Sequence, residues 1–222
     1  MQLDGKKVVF LGDSITEGVG TTQVNGSHEG YRYTDLFAKN TGAEIYNFGI
    51  SGTRIARQKT PSFHSVHDLY FASRIKDMPE YADVVVVFGG TNDFGHGDAP
   101  IGDFNSRDEY TFYGALHNLI LKLIEKFPTA TIVFLTPLHR LTESFKTDYI
   151  GIGNPPSLKN YVDVIKSVCE YYSIPVLDLY AVSGMQPSVE IIRKIYMPDG
   201  LHPSDAGAER LARLIEGFLR IL

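Results

Sequence analysis

The sequence predicts an α/β fold in which a five-stranded parallel sheet forms the middle layer of a three-layer α/β/α sandwich. Five short runs rich in β-branched residues alternate with stretches of helical periodicity along the chain. The runs are almost continuously apolar, which is typical of parallel strands buried on both faces. The links that follow the strands are longer than those that precede them, and this favours a site at one edge of the sheet.

Strands and helices alternate from one end of the chain to the other. The predicted strands read, in order, KVVFL (Lys7–Leu11), EIYNF (Glu44–Phe48), VVVVF (Val84–Phe88), TIVFL (Thr131–Leu135) and PVLDL (Pro175–Leu179). The predicted helices are Tyr31–Lys39, Tyr110–Phe127, Leu158–Tyr172 and Asp205–Leu222, with a further candidate at residues 70–78. The clearest is Tyr110–Phe127, because Leu116, Leu119, Ile120 and Leu123 recur at helical spacing.

Composition and charge narrow the class of protein. The 222 residues are 43% apolar and 21% charged, which predicts one globular domain spanning residues 1–222. The single cysteine, Cys169, excludes an internal disulfide and a cysteine-based zinc site. A net charge of −5 disfavours nucleic acid as a partner. The longest apolar runs have about five residues, which is too short to span a membrane. The first predicted strand begins near Lys6, which leaves no room for a signal peptide. We therefore expect a cytoplasmic protein.

Three long loops follow predicted strands two, three and four, at residues 49–70, 89–109 and 136–157. Loops of this length are usually functional or mobile. In open α/β sheets, ligands bind outside the carboxyl ends of the strands, where all three loops begin. The alternative is that they only decorate the edge of the sheet.

Ser14 lies in the segment GDSITEG, directly after the first strand. Gly12 lets the chain turn out of the strand, which places Ser14 near the N-terminus of a following helix. A serine there is either a nucleophile among backbone N–H groups or an ordinary helix cap. Asp199 precedes His202 by three residues in DGLHP, and Gly200 makes a turn between them easy. This pair is either an oriented catalytic base or an incidental feature of a loop.

Glycine-rich segments follow strands two and three, as NFGISG (47–52) and GGTND (89–93). Such segments expose backbone N–H groups at the sheet edge, and Asn92 can add a side-chain NH₂ donor. Donors that converge near a nucleophile form an oxyanion hole, although glycines at strand ends are more often simple turns.

Together, these four segments resemble the SGNH hydrolase superfamily, also called the GDSL lipase/esterase family. GDSITEG is similar to its first block, with Ile15 where the family often has Leu, and NFGISG, GGTND and DGLHP are similar to three further blocks. The resemblance implies a flavodoxin-like sheet in the order 2-1-3-4-5. It also implies Ser14 as nucleophile, Asp199 and His202 as the rest of a triad, and an oxyanion hole made by Ser14 N–H, Gly52 N–H and the Asn92 side chain.

The expected activity is hydrolysis of carboxylic esters through an acyl-enzyme intermediate, with a small-molecule ester as partner and without a metal or other cofactor. The polar loop residues Asp98, Asp103, Asn105 and Arg107 favour a short acyl group on a small or sugar-like alcohol. A carbohydrate O-deacetylase, a short-chain carboxylesterase, a thioesterase and a lysophospholipase all stay open, as does the oligomeric state. The alternative from another class is a non-catalytic flavodoxin-like module that binds a nucleotide or sugar. It is disfavoured because neither phosphate-loop motif occurs.

Several further residues are candidates for substrate contacts. Asp13, Arg54, His96 and His139 lie in or beside the four segments or in the loops after strands three and four. The spacing of His64 and His67, with Asp68 next in sequence, is a weak metal-ligand pattern, and we predict no metal site. We expect structural or exposed positions for His28 and His117, and packing positions for Tyr31 and Tyr33.

Overall fold

A computed structural model describes residues 1–145 and 155–222 of the chain. In these residues the strands form one five-stranded sheet in which every pairing is parallel. The strand order is β2-β1-β3-β4-β5, as the family resemblance implies. The strands are β1 (Lys7–Gly12), β2 (Glu44–Gly49), β3 (Val84–Phe88), β4 (Thr131–Leu135) and β5 (Val176–Leu177).

Helices cover both faces of this sheet. They are α1 (Ser14–Glu17), α2 (Tyr33–Thr41), α3 (Thr91–His96), α4 (Phe112–Lys126), α5 (Leu158–Tyr171), α6 (Leu179–Val182), α7 (Glu190–Tyr196) and α8 (Asp205–Ile221), with 3₁₀ helices at Ser65–Asp68 and Phe71–Asp77. In the part of the chain that the structure describes, no helix is both long enough and apolar enough to cross a membrane.

Side chains alternate between the two faces of each strand and build two apolar cores. From β1, Val9 and Leu11 pack with the 3₁₀ helix Phe71–Asp77 and with α4 and α5, and Cys169 of α5 is fully buried among them. Val8 and Phe10 pack on the opposite face with α2 and α8. The period of two residues explains this division, and it confirms the predicted three-layer sandwich.

The boundaries depart from the sequence predictions mainly at the fifth strand. The predicted run Pro175–Leu179 keeps only two residues as strand because Asp178 caps α6. The Asp178 carboxylate accepts hydrogen bonds from the Ala181 N–H and the Thr136 hydroxyl, which turns the chain out of the sheet. The candidate at residues 70–78 is a 3₁₀ helix, and α3, α6 and α7 were not predicted.

The long loops begin at the carboxyl edge of the sheet, as predicted. The loops after β2 and β3 are described throughout, whereas residues 146–154 of the predicted loop 136–157 lie outside the described residues. The two described loops contact each other directly, because Ile55 N–H and Ala56 N–H donate to the buried carboxylate of Asp93 at 3.0 and 2.8 Å. This edge therefore carries the candidate site.

Candidate active site

Ser14 is the first residue of the one-turn helix α1, directly beyond the end of β1. Asp13 caps the helix by accepting a hydrogen bond from Ile15 N–H at 3.0 Å. Gly12 leaves room for the tight exit from the strand, since a Cβ there would lie 1.9 Å from the Thr16 hydroxyl oxygen. The sequence thus folds locally so that the Ser14 side chain emerges at the carboxyl edge of the sheet, beside the N–H groups of a helix start.

His202 and Asp199 form one compact turn before α8. The Asp199 carboxylate accepts the backbone N–H groups of Leu201 and His202 at 2.8 and 2.7 Å, and its other oxygen lies 2.7 Å from His202 Nδ1. Gly200 permits this turn with a φ of +78°. Partial burial alone would raise the pKa of Asp199, but the hydrogen bonds from His202 and Leu201 lower it below its ordinary value. The carboxylate is therefore held ionised beside the imidazole.

The structure brings Ser14 within hydrogen-bond distance of this pair, 188 residues away in sequence. Ser14 Oγ lies 3.0 Å from His202 Nε2. An ionised carboxylate only accepts hydrogen bonds, so Nδ1 of His202 carries a proton toward Asp199. In the neutral imidazole, Nε2 then has a free lone pair that can accept the Ser14 proton. This is the geometry of a nucleophile, a base and a group that orients the base.

Three hydrogen-bond donors lie at the same edge. Within residues 1–145 and 155–222, the backbone N–H groups of Ser14 and Gly52 have no hydrogen-bond acceptor. Gly52 has a φ of +74°, and a Cβ on it would lie 2.5 Å from the ring of His67, so a glycine suits this close-packed turn. The Asn92 amide donates one N–H to the Thr53 carbonyl at 3.0 Å, and its second N–H can serve a ligand.

Arg74 contacts the backbone on which these donors are held. The sequence patterns gave no indication of this residue. Its buried guanidinium donates to the carbonyls of Phe48 and Gly12 at 2.6 and 3.0 Å, and to the Thr53 hydroxyl at 3.1 Å. It thereby joins the ends of β1 and β2 to the turn that carries Gly52. Burial lowers the pKa of Arg74 to about 10, which leaves the group charged at neutral pH. In the sequence, Arg74 is only an arginine between the apolar residues Phe71 and Ile75, and this pattern does not indicate its contacts.

Glu17 is a second contact that the motifs did not identify. It ends α1, and its carboxylate accepts both the backbone N–H of Ser51, at 2.7 Å, and the Ser51 hydroxyl. Ser51 directly precedes Gly52 in the turn. The helix that starts with Ser14 is therefore hydrogen-bonded to the turn that presents a candidate oxyanion donor.

Asp13 and Arg54 lie inside the protein, and their role as substrate contacts stays a prediction. Asp13 is only 2% exposed and its carboxylate is occupied as a helix cap; burial raises its pKa to about 7. Arg54 is 4% exposed, and its guanidinium donates to Asp68, Ser62 and the His67 carbonyl. Both residues hold backbone segments next to the site through hydrogen bonds.

His96 and His139 lie at the carboxyl edge of the sheet, in different surroundings. His96 is exposed, accepts from Arg54 at 3.1 Å through Nδ1, and its ring centroid lies 6.0 Å from that of His67. His139 is paired with Glu143 at 2.9 Å and stacked on Tyr180. Of the predicted substrate contacts, these two have accessible side chains, and their role stays a prediction.

The polar loop residues 103–107 lie elsewhere, and this corrects part of the basis for the substrate prediction. Phe104 packs against the rings of His117 and Tyr171, and the Phe104 carbonyl accepts a hydrogen bond from His117. Since Tyr171 ends α5 and precedes β5, this contact lies toward the amino edge of the sheet, away from Ser14. Of the four residues cited, Asp98 alone stays with the loop after β2, where its carboxylate accepts Lys59 N–H and Thr60 N–H.

His28, His117 and Tyr33 occupy positions of the expected kind, whereas the packing position predicted for Tyr31 is wrong because its side chain is exposed. His117 is buried, and His28 contacts Thr21 and Gln23. Tyr33 is buried with its hydroxyl 2.9 Å from that of Thr16, whereas Tyr31 is exposed. Across the described ranges, the structure holds no group of three or more His, Cys, Asp or Glu side chains that could bind a metal ion.

Comparison with known protein families gives one clear match. Residues 10–210 match the model of the GDSL-like lipase/acylhydrolase family, so the match covers nearly the whole chain and all four motifs. This confirms the resemblance that the motifs indicated. No curated protein matches the chain.

Solved structures are similar along the full length of the chain. A protein from Lactobacillus plantarum shares 33% identity over 99% of this chain and 98% of its own, with a TM-score of 0.80. An acetyl xylan esterase shares 22% identity over 96% of this chain and 99% of its own, with a TM-score of 0.64. A lipase/acylhydrolase from Enterococcus faecalis shares 22% identity, covering 97% and 95% of the two chains, with a TM-score of 0.61. At 22% identity, the last two likenesses support the fold.

Proposed function

Because this chain belongs to the GDSL-like lipase/acylhydrolase family, we propose that it is a serine esterase that forms an acyl-enzyme intermediate on Ser14. The observation that carries the proposal is the chain of contacts from Ser14 Oγ to His202 Nε2 at 3.0 Å and from His202 Nδ1 to Asp199 at 2.7 Å. Nucleophile, base and orienting carboxylate come from opposite ends of the sequence and meet at the edge where ligands bind in this type of sheet.

The first half of the reaction transfers the acyl group to the enzyme. Ser14 Oγ attacks the ester carbonyl carbon while His202 Nε2 removes the hydroxyl proton. Asp199 keeps the imidazole in the correct tautomer and stabilises the imidazolium that forms. When the tetrahedral intermediate collapses, the C–O bond of the ester breaks and His202 gives its proton to the departing alcohol.

The negative charge on the carbonyl oxygen is stabilised by the three donors described above. Ser14 N–H and Gly52 N–H are fixed by the backbone, and the second N–H of Asn92 completes the set. Donors fixed in advance cost no reorganisation during the reaction, so they stabilise the transition state more than the bound substrate.

The second half of the reaction releases the acid. Water replaces the alcohol, His202 takes a proton from it, and the resulting hydroxide attacks the acyl carbon. The same donors hold the second oxyanion, and Ser14 leaves with the proton from His202. Every proton in both halves is carried by His202, so this scheme requires no metal or other cofactor.

A short acyl group on a small or sugar-like alcohol is the substrate class we propose. Polar rings border this turn: the His67 ring lies against Gly52, and His96 lies beside His67. The pKa of His67 is lowered by burial and by the nearby charges of His64 and Arg54. A neutral His67 can form hydrogen bonds with the hydroxyl groups of a substrate, but it cannot form an ion pair with a charged one.

The proposal is tested by measuring hydrolysis of p-nitrophenyl esters of increasing acyl length, together with release of acetate from acetylated sugars. We expect activity that declines with acyl length and is absent in folded Ser14→Ala, which lacks the nucleophile. Wild-type hydrolysis by Ser14→Ala would contradict a serine nucleophile and favour another mechanism. A wild-type protein that binds a sugar or nucleotide but cleaves no ester would favour the non-catalytic binding module.

We further propose that residues 1–222 form one domain and that the protein acts in the cytoplasm on small-molecule esters. Both apolar cores pack against the same sheet, which supports a single domain. Folding of residues 1–222 as one cooperative unit, measured by calorimetry, tests the first point.

A further inference from the structure

Glu17 and Ser14 lie at opposite ends of the four-residue helix α1. Glu17 makes two hydrogen bonds through a single carboxylate oxygen, to the Ser51 N–H at 2.7 Å and to the Ser51 hydroxyl. These bonds connect helix α1, which follows β1, to the loop after β2, over 34 residues of sequence. Neither partner belongs to the triad or to the three oxyanion donors.

The turn Ile50–Thr53 carries Gly52 and is closed by a hydrogen bond from Thr53 N–H to the Ile50 carbonyl at 3.3 Å. Its first residue is fixed to β1, because Ile50 N–H donates to the Gly12 carbonyl at 3.2 Å. Its last residue is fixed from below by the bond from Arg74 to the Thr53 hydroxyl. Between these two anchors, Ser51 is held by Glu17.

The contact between α1 and this strand end is also tight. A Cβ on Gly49 would lie 2.2 Å from the Glu17 backbone nitrogen, so the two backbones are in direct contact. The Glu17 side chain therefore extends from a fixed point to a turn that is fixed at both ends. Little freedom is left in the distance from the Ser14 hydroxyl to the Gly52 N–H.

We propose that Glu17 is a positioning residue that sets the place of the Gly52 N–H relative to Ser14, and so aligns the oxyanion hole. The proposal rests on the proposed serine esterase function of the same site. Glu17 touches neither substrate nor the reacting atoms in this scheme; it acts through Ser51 on the next peptide group.

Loss of this contact should weaken transition-state stabilisation more than substrate binding. A misplacement of about 1 Å can cost about 10²-fold in rate, and loss of a whole oxyanion donor costs about 10²–10³-fold in kcat. For Glu17→Ala we expect kcat to fall by about 10- to 100-fold, with a smaller change in KM. Ser51→Ala keeps the backbone N–H bond and should show a smaller loss in the same direction.

The deciding measurement compares p-nitrophenyl acetate with its thionoester, in which sulfur replaces the carbonyl oxygen. Sulfur is a weak hydrogen-bond acceptor, so a thionoester gains little from an oxyanion hole. A misaligned hole should therefore lower kcat/KM for the ester much more than for the thionoester. A general loss of folded protein or of access to the site lowers both values equally.

Two further variants complete the experiment. Glu17→Gln keeps an acceptor oxygen for Ser51 and should restore most of the ester-to-thionoester ratio. Glu80→Ala removes an exposed carboxylate ahead of β3, at the other edge of the sheet, and should leave both rates unchanged. Melting temperatures of all variants show which of them are folded; if Glu17→Ala is unfolded, Ser51→Ala and Glu17→Gln decide the outcome.

A reduced ratio in Glu17→Ala or Ser51→Ala, restored in Glu17→Gln, supports the proposal. An unchanged ratio in folded variants overturns it, as do equal losses on the two substrates. If Ser14→Ala is inactive while Glu17→Ala keeps the wild-type ratio, only the role of Glu17 fails. If Ser14→Ala keeps wild-type activity, the esterase proposal and the role of Glu17 fail together.

Discussion

A serine hydroxyl is a weak nucleophile, and at the scale of single residues the proposed reactivity of Ser14 depends on two short contacts. In the proposed mechanism His202 receives its proton, and Asp199 fixes the ring that receives it. Asn92 differs from these residues because its amide has two uses. One N–H holds the Thr53 carbonyl, and the other is available to the oxyanion.

Asn92→Ala should therefore reduce both catalysis and stability. We expect kcat to fall by about 10²–10³-fold with a smaller change in KM, since the lost bond to the oxyanion exists in the transition state. The unpaired Thr53 carbonyl should also cost about 1–3 kcal/mol of unfolding free energy. Steady-state kinetics and thermal melting on one preparation measure both effects.

Asn118→Ala is the matched control for that variant. The Asn118 amide makes an equivalent bond, to the Arg107 carbonyl at 3.0 Å, on α4 and away from the site. This variant should lose some stability and keep its kcat. An Asn92→Ala enzyme with unchanged kcat would remove Asn92 from the oxyanion hole and leave it a purely structural role.

Asp13 predicts a pH-dependent effect on stability. Its pKa of about 7 in the folded protein lies well above the ordinary value for an aspartate, 3.8, chiefly because of burial. The folded state thus holds the proton more tightly than the unfolded state, and ionisation of Asp13 lowers stability as the pH rises from about 4 to about 7. Asp13→Asn keeps an oxygen for the Ile15 N–H and loses this dependence. The unfolding free energy of the variant minus that of the wild type should therefore rise over this pH range by roughly 2–4 kcal/mol. Chemical denaturation at several pH values measures this difference. A difference that does not change with pH would contradict the high pKa of Asp13.

The sequence could indicate the candidate catalytic residues but not the residues that hold them in place. Ser14, Asp199, His202 and Asn92 follow strands in short motifs, so their types and positions along the chain are informative. Arg74 and Glu17 act through contacts with carbonyls and with Ser51 in other elements. Those contacts depend on how the elements pack, and one sequence alone carries no sign of them.

At the scale of elements, the start of α8 is tied to the loop that follows α1. The Asp205 carboxylate accepts the Thr22 N–H and hydroxyl at 2.7 and 2.6 Å. The same loop packs on the catalytic turn, since a Cβ on Gly20 would lie 2.8 Å from the Cβ of His202. Asp205 therefore joins the elements that carry Ser14 and His202.

Asp205→Ala should destabilise the protein, because two hydrogen bonds and a favourable charge at a helix N-terminus are lost. We expect a loss of about 1–2 kcal/mol, or about 2–8 °C in Tm for a chain of this size. Glu209→Ala, one turn further along α8, removes an exposed ion pair with Arg213 and should change Tm very little. Equal shifts in the two variants would show that the link to Thr22 contributes nothing specific.

Strand and helix boundaries show where local patterns succeed as predictors. β3 and β4 have the predicted bounds because they are almost entirely apolar and lie inside the sheet. The fifth strand was predicted as Pro175–Leu179, but Asp178 bonds to Thr136 on the neighbouring segment and starts α6. The apolar pattern continues through Leu179, so periodicity alone could not locate this end.

At the scale of the whole molecule, the parallel sheet collects residues from positions 14 to 202 at one edge. The order β2-β1-β3-β4-β5 places the central strands β1 and β3 side by side, so the segments of Ser14 and Asn92 emerge together. In the proposed scheme, nucleophile, base and oxyanion donors therefore all come from this one chain.

This arrangement predicts that esterase activity is independent of divalent metals. After exhaustive dialysis against EDTA, the rate of p-nitrophenyl acetate hydrolysis should be unchanged. In the proposed scheme Ser14 is the nucleophile and His202 carries the protons, so no metal-bound water is needed. Loss of activity in EDTA that returns with an added divalent cation would count decisively against this scheme.

Because Cys169 is buried, its reaction with thiol reagents reports when the surrounding core opens. This thiol, the only one in the sequence, is fully enclosed within the layer of α4 and α5, and burial raises its pKa to about 12. A thiolate-directed reagent such as a maleimide or an aromatic disulfide can reach it only when that layer separates from the sheet. The labelling rate of the unmodified protein thus measures how often this half of the core opens, and its dependence on denaturant distinguishes local excursions from complete unfolding.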